Sequence, residues 1–446
     1  MLATLALAAL IYFCLDYVIS DDTDSLSRVT IMDFYREEPV DVLFIGTSHS
    51  MYAVDSVRLT ETLNQSVYNL STFGPDYVKL YYLLKEAIRV KDIDTVFVEL
   101  SLARLGSSGV DEFATFIISD YMKSIPNRAA LIITGVDDSN YVNGFFRLRR
   151  NFKVIPTFSE IKWLIGKKRA EQYTQFIGIP QYMGRGEWYG HDSNDGTTNY
   201  HYAEGFLAKE IIPRETKYLT KIMNLCKRKG IKPVLYVMPY SIPYLTQFKD
   251  YDQIMATIRK LAEDHSTAFI DLNLVRDEYL HFDIENFRDF DHLNTEAGKQ
   301  LADFFVEYMR KPDYDWFYDS IREKYPSDLV QGVGYWKSFV TDEGVFEKST
   351  EASGTITEML LKIEPLSFSN IDTNIVLTEL KRDEETDIRT DVRTFTALGR
   401  EGSFSIFSVP YDPATRVYYR IEVFKAGTDE LLFETESFFG ERSKDE

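Results

Sequence analysis

Short apolar segments alternate with helical patterns between residues 38 and 310, and this alternation most limits the possible fold. The apolar segments have the length and composition of buried strands. They lie at 40–45, 66–70, 94–100, 233–238 and 268–272, with helical patterns at 77–90, 217–229, 251–264 and from Asn294 or Thr295 onward. Apolar strands separated by helices are typical of a mostly parallel sheet covered on both faces. We therefore predict a three-layer α/β domain with its ligand site at the carboxyl ends of the strands.

The alternation stops in two regions, which defines the predicted domains. Residues 101–215 are rich in Tyr, Phe, Gly and Asn, and we interpret them as a cap inserted into an α/β domain at 21–315. Segments of alternating polarity separated by Gly, Asp and Pro turns lie beyond residue 330. They favour a separate all-β sandwich at 333–446, with a structural, carbohydrate-binding or partner-binding role.

The first 20 residues are the only segment of the sequence that resembles a targeting or membrane-anchoring signal. They are mostly apolar, but the run is slightly short for a membrane span, contains Asp16 and follows no basic residue. We predict a signal-anchor helix, which would make the protein a single-pass membrane protein. A signal peptide cleaved near Ser20 and a buried amphipathic helix remain alternatives.

Charge and cysteine content exclude several classes of function. A formal charge of −20 argues against a nucleic-acid partner, because binding to a phosphate backbone needs a concentrated basic surface. The two cysteines, Cys14 and Cys226, exclude a cysteine zinc site, and their positions predict no disulfide. The acidic segment 191–196, followed by His201, fails the EF-hand spacing. We predict no metal and no cofactor.

Ser48 is the first candidate catalytic residue. It follows the first predicted strand directly, in VLFIGTSHS. A serine at the end of a buried strand can hold its hydroxyl above the sheet, where amides of the next turn would form an oxyanion hole. The G-x-S-x-G elbow of the common α/β hydrolases is absent. The structural alternative is that Ser48 merely caps a helix.

His292 is the candidate general base, in RDFDHLNTEAG just before the last helix of the α/β domain. A base of this kind needs a carboxylate that holds its imidazole in one tautomer. Asp289 lies three residues before His292, and Asp291 lies immediately before it. Either carboxylate could take that role. His49, next to Ser48, is a weaker candidate that could contact substrate or be a partly exposed residue of the turn.

Together these segments resemble the SGNH (GDSL-like) hydrolase superfamily. Residues 46–48 stand where that family has its GDS block, and residues 289–292 match its DxxH block. Gly74, in NLSTFGPDY, matches the second block, which supplies an oxyanion-hole amide. The third block, GxND, is missing, because the third strand ends in 99–101. The resemblance implies an SGNH-like fold over roughly residues 38–310 and catalytic roles for Ser48 and His292, and it favours Asp289 as the orienting carboxylate.

The GTSH-like first block after an N-terminal apolar segment looks most like the exported branch of that family, which includes alginate O-acetylation and teichoic-acid D-alanylation proteins. This likeness implies an extracytoplasmic enzyme that transfers an acyl group, usually acetyl, to a cell-surface polysaccharide or removes it. Ser48 and Gly74 would supply the oxyanion amides, with His49, Asp291 and Ser101 as weaker substrate contacts. The implied partners are the glycan and a membrane-bound O-acyltransferase. A non-catalytic glycan-binding or assembly protein remains the alternative.

Overall fold

The structure is a computed structural model of the 446-residue chain. It describes residues 2–19, 25–106, 111–151, 157–169, 181–189, 211–241, 245, 251–282, 286–288, 291–324, 330–331, 358–363, 366–367, 373–382, 389–399, 405–410 and 417–439. Asp289, the segment 191–196 and His201 lie outside these residues.

A five-stranded parallel sheet forms the centre of the α/β domain, with the spatial order β2-β1-β3-β6-β7. The five strands lie within one or two residues of the predicted segments. They are β1 Val42–Ile45, β2 Val67–Asn69, β3 Thr95–Glu99, β6 Lys232–Val237 and β7 Ala268–Asp271, while β4 Gln181–Gly184 and β5 Glu187–Tyr189 form a separate antiparallel hairpin. The prediction of a parallel α/β sheet is confirmed.

Helices cover both faces of this sheet, because its strands are apolar on both sides. Along β1, Leu43 and Ile45 join one apolar core, whereas Val42 and Phe44 join the other. Among the described residues, the α-helices whose bounds the structure gives in the α/β domain outside the cap are α2 Leu26–Phe34, α3 Ser48–Ala53, α4 Ser56–Leu63, α5 Tyr77–Val90, α12 Pro213–Lys229, α13 Tyr251–Asp264, α14 Thr295–Arg310 and α15 Ile321–Lys324. Helix α12 ends at Gly230, whose φ of +73° is the left-handed conformation that glycine adopts most readily.

The region predicted as a cap is largely helical where the structure describes it. Its helices are α6 Leu102–Leu105, α7 Glu112–Ser119, α8 Ile125–Gly135, α9 Tyr141–Phe145, α10 Arg147–Asn151 and α11 Phe158–Arg169. The N-terminal segment forms a helix, α1 Leu2–Ile19, and Asp16 in this helix pairs with Arg147 of α10 at 2.6 Å. Within the described ranges, no helix is both long and apolar enough to span a bilayer.

The C-terminal region is antiparallel β-structure in its described parts. Four strands pair in the order β12-β11-β14-β15, and two shorter pairs, β13-β9 and β10-β8, accompany them. The strands are β8 Val330–Gln331, β9 Glu358–Ile363, β10 Leu366–Ser367, β11 Thr373–Arg382, β12 Arg389–Gly399, β13 Ser405–Pro410, β14 Val417–Lys425 and β15 Leu431–Phe439. An antiparallel sheet region is confirmed, while its arrangement as a sandwich and the domain boundaries stay predictions.

Candidate active site

The site forms where the strand order of the sheet reverses. After β1 the chain continues to β2 on one side, and β3 then pairs with β1 on its other side. The carboxyl ends of two such neighbouring strands leave a crevice between them, which is where open α/β sheets bind ligands. Ser48 follows β1, and Glu99 is the last residue of β3. The topology therefore places both residues at this crevice.

Ser48 and His292 meet across 244 residues of sequence. The Oγ atom of Ser48 lies 2.8 Å from Nε2 of His292, which is hydrogen-bond distance. Ser48 is the first residue of α3, and Thr47 is the N-cap of this helix. The loop before α14 brings His292 to the same end of the sheet. The predicted pairing of these two side chains is thus present in the structure.

Asp291 makes the carboxylate contact to His292. Its Oδ1 atom lies 2.8 Å from Nδ1 of His292. A carboxylate only accepts hydrogen bonds, so Nδ1 must carry a proton, which leaves Nε2 to accept the hydroxyl proton of Ser48. From the sequence, Asp291 was the alternative to Asp289 for this role. Because Asp289 lies outside the described residues, its own contribution stays a prediction.

Glu99 holds the turn that carries Ser48, and this role was not predicted from the sequence. Its buried carboxylate accepts hydrogen bonds from the amide and hydroxyl of Thr47 at 2.6 and 2.7 Å, and from the hydroxyl of Ser50 at 2.6 Å. Burial by itself would raise the pKa of Glu99, but its contacts with His49 and these hydroxyls lower the pKa. An acidic residue ending the otherwise apolar strand VFVE was the available signal, since a buried carboxylate needs several partners.

His49 lies between two carboxylates. Its Nδ1 atom is 3.2 Å from Oε1 of Glu99, and its Nε2 atom is 3.0 Å from Oδ2 of Asp291. Both oxygens of Asp291 are therefore in contact with an imidazole, one from His49 and one from His292. The two imidazole rings lie 4.5 Å apart between centroids. His49 is buried rather than an exposed turn residue.

Gly74, the predicted oxyanion residue, lies in the turn after β2. Its φ is +53°, and a Cβ atom built there would lie 2.3 Å from Nη2 of Arg104. The ring of the preceding Phe73 lies 6.2 Å from that of Tyr52, which lies 6.3 Å from the His292 ring. The turn is thus linked to the His292 ring through Tyr52, and the part of the Gly74 amide in an oxyanion hole stays a prediction.

Ser101, a weaker substrate candidate, lies at the start of a cap helix. It is buried and is the N-cap residue of α6, where its carbonyl accepts hydrogen bonds from the amides of Arg104 and Leu105 at 3.0 Å. Ser101 therefore helps to start helix α6, and a contact between Ser101 and substrate stays a prediction.

Among the described residues, one group has potential metal-ligand atoms that all lie within 4.8 Å of one another: His49, Asp291 and His292. The two nitrogen–oxygen contacts in this group are 2.8 and 3.0 Å long. Two ligands of a tetrahedral ion at bond lengths near 2.0–2.1 Å stand about 3.4 Å apart, so these shorter contacts fit shared protons better than a shared ion.

Comparisons with known proteins add only distant likenesses. No protein-family model and no curated protein sequence matches the chain. Among solved structures, a putative acylhydrolase from Bacteroides fragilis has 10% identity and a TM-score of 0.32, over 66% of this chain and 99% of that chain. A GDSL-like lipase from Bacteroides thetaiotaomicron also has 10% identity and a TM-score of 0.32, over 65% and 100% respectively. At such TM-scores neither likeness establishes the fold or the activity of this protein.

Proposed function

We propose that this protein is a serine-dependent acyl-transfer enzyme, with Ser48 as nucleophile and His292 as general base. The 2.8 Å contact between Ser48 Oγ and His292 Nε2 carries this proposal. A nucleophile, a base and an orienting carboxylate in one hydrogen-bonded line are the parts that serine hydrolases use. Asp291 supplies the carboxylate that contacts His292.

The reaction proceeds in two halves. Ser48 Oγ attacks the carbonyl carbon of an ester while its proton moves to His292 Nε2, and the tetrahedral intermediate then expels the alcohol, which takes that proton. In the second half, water or a sugar hydroxyl gives a proton to His292 and attacks the carbonyl carbon of the acyl-serine. The bond from that carbon to Ser48 Oγ then breaks, Ser48 takes the proton back from His292, and the acid or the new ester leaves. Water as acceptor makes the protein an esterase, and a sugar hydroxyl makes it a transferase.

The amides of Ser48 and Gly74 would stabilise the oxyanion. Arg104 is our candidate for the further donor that the missing GxND block would otherwise supply, because its guanidinium lies against Gly74. Arg104 also pairs with Asp111 at 3.5 Å, which is long for an ion pair and leaves N–H groups for another acceptor.

The substrate we propose is an acyl ester, acetyl first, on a cell-surface polysaccharide outside the membrane. This part follows from the resemblance of the GTSH block and the apolar N-terminal helix to the exported acylation proteins. A membrane-bound O-acyltransferase is the partner that the resemblance suggests as acyl donor.

A serine-directed fluorophosphonate and p-nitrophenyl acetate test the proposal. Wild-type protein should be labelled and should hydrolyse the ester, and Ser48→Ala should abolish both. Ser159→Ala, at an exposed serine on α11, is the matched control and should behave as wild type. Equal ester hydrolysis by wild type and Ser48→Ala would overturn the proposal. Absence of turnover and labelling in wild type would favour the non-catalytic alternative.

A further inference from the structure

His49 has hydrogen-bonding partners that only a doubly protonated imidazole satisfies. Its Nε2 atom faces a carboxylate oxygen of Asp291 at 3.0 Å, so Nε2 must donate. Its Nδ1 atom lies 3.2 Å from Oε1 of Glu99 and 3.0 Å from Oγ1 of Thr47. Thr47 already donates its hydroxyl proton to Glu99 at 2.7 Å, so this oxygen can only accept from His49.

The surroundings of His49 also favour its charged form. Asp291 and Glu99 face it with negative charge, His292 lies 4.5 Å away between ring centroids, and the Tyr240 ring meets it edge-on at 5.5 Å. Burial by itself would lower the pKa of His49, but hydrogen bonds to Asp291 and Glu99 outweigh burial and raise the pKa to about 10. With a pKa near 10, the His49 ring keeps its positive charge through neutral pH and loses it only as pH rises through about 10.

We propose that His49 is a positioning residue that stays positively charged through neutral pH and fixes Asp291 against His292, with Glu99 as its anchor. This inference rests on the proposed function, since it concerns the base of that reaction. Holding both oxygens of Asp291 prevents the carboxylate from rotating away from His292 Nδ1. The positive charge also disfavours a second proton on His292, which keeps Nε2 able to accept the Ser48 proton at lower pH.

The pH dependence of fluorophosphonate labelling separates this role from a merely structural one. In His49→Gln the acid limb of the labelling rate should move to higher pH by about one unit or more, because the opposing charge is gone. In Glu99→Gln, loss of the anchoring charge should move the basic limb from near pH 10 toward neutrality. His281→Gln, at an exposed histidine, is the matched control and should leave both limbs unchanged.

A lower labelling rate with both limbs in place would overturn the inference, because a structural defect alone does not move them. If Ser48→Ala abolishes labelling while His49→Gln keeps the wild-type pH profile, only this inference fails and the proposed function stands. Labelling that persists in Ser48→Ala would overturn both.

Nitrogen NMR of ¹⁵N-histidine-labelled wild-type protein gives a readout that does not need a folded variant. The chain has six histidines. One of them should keep both ring nitrogens protonated at pH 8, which the wild-type spectrum shows by itself. Comparison with the spectrum of His49→Gln then assigns that ring to His49. A His49 ring that becomes neutral near pH 6.5 would overturn the inference.

Discussion

The buried carboxylate of Glu99 accepts a hydrogen bond from the amide of Thr47, with Oε2 2.6 Å from the amide nitrogen. Glu99 ends β3 and Thr47 follows β1, so this contact joins the ends of two neighbouring strands next to the nucleophile. Charge-assisted hydrogen bonds of this length are among the stronger contacts in proteins. Ser48 is therefore positioned by Glu99, through its hydrogen bond with the preceding Thr47, as well as by His292, through the Ser48 hydroxyl.

Gly46→Ala should destabilise the fold, because Gly46 leaves no space for a side chain. A Cβ atom there would lie 2.3 Å from Oε2 and 2.6 Å from Cβ of Glu99. Overpacking of this kind costs about 1–3 kcal/mol, which urea unfolding would measure. Gly166→Ala on α11, where nothing lies within 4 Å, is the control and should be neutral or slightly stabilising. Equal stability of Gly46→Ala and wild type would contradict the packing around Glu99.

Asp291→Asn should slow fluorophosphonate labelling by about 10³-fold or more, because an amide in place of the carboxylate no longer selects the Nδ1–H tautomer of His292. Asp289→Asn is the discriminating variant, since the family resemblance favours that position. A large loss in Asp289→Asn together with a small one in Asp291→Asn would assign the orienting role to Asp289. Thermal melting of both variants would show whether either loss reflects unfolding.

Gly74→Ala should lower ester hydrolysis by about 10²-fold while most of the fold remains. The φ of +53° disfavours any residue with a Cβ, and that atom would also meet Arg104 Nη2 at 2.3 Å. The double variant Gly74→Ala/Arg104→Ala removes the clash but leaves the backbone strain. If the double variant regains ester hydrolysis, the loss in Gly74→Ala came from the clash with the Arg104 side chain. If the double variant hydrolyses the ester still more slowly, the Arg104 guanidinium is supported as a hydrogen-bond donor to the oxyanion.

Glu187→Gln should flatten the dependence of stability on pH between about 4.5 and 8. Burial first, and the carboxylate of Asp55 next, raise the pKa of Glu187 to about 8. A raised acid pKa means that the folded protein holds more protons than the unfolded chain in this window, so wild-type stability should fall as pH rises through it. Thermal melting at pH 5 and pH 8 measures the slope, and Glu61→Gln, at an exposed position, should keep the wild-type slope. An unchanged slope in Glu187→Gln would contradict the assignment.

Local sequence patterns were sufficient to predict the sheet and two of the site residues. The strands of the parallel sheet alternate between two apolar cores, so each reads as a continuous apolar run that periodicity can detect. Ser48 and His292 became candidates from their positions at a strand end and a helix start, and the resemblance of their two blocks to the SGNH superfamily supported both. Patterns of this kind depend on neighbours in sequence, which is why they could be read without coordinates.

The partners within the site needed the tertiary structure. His49 Nε2 and Asp291 Oδ2 are 242 residues apart in sequence but 3.0 Å apart in space, and no spacing rule connects them. The choice between Asp289 and Asp291 depends on the path of one loop, which short-range preferences do not define.

What the sequence alone determined is the order of strands and helices and the chemical types at their ends, because burial and helical periodicity are encoded locally. Only the tertiary structure decided which charged groups meet. The spatial order of the strands brings Glu99 of β3 next to the turn after β1. The loop before α14 brings Asp291 into contact with both His49 and His292. Distances between side chains from separate elements depend on how those elements pack, and a one-dimensional pattern does not contain that geometry.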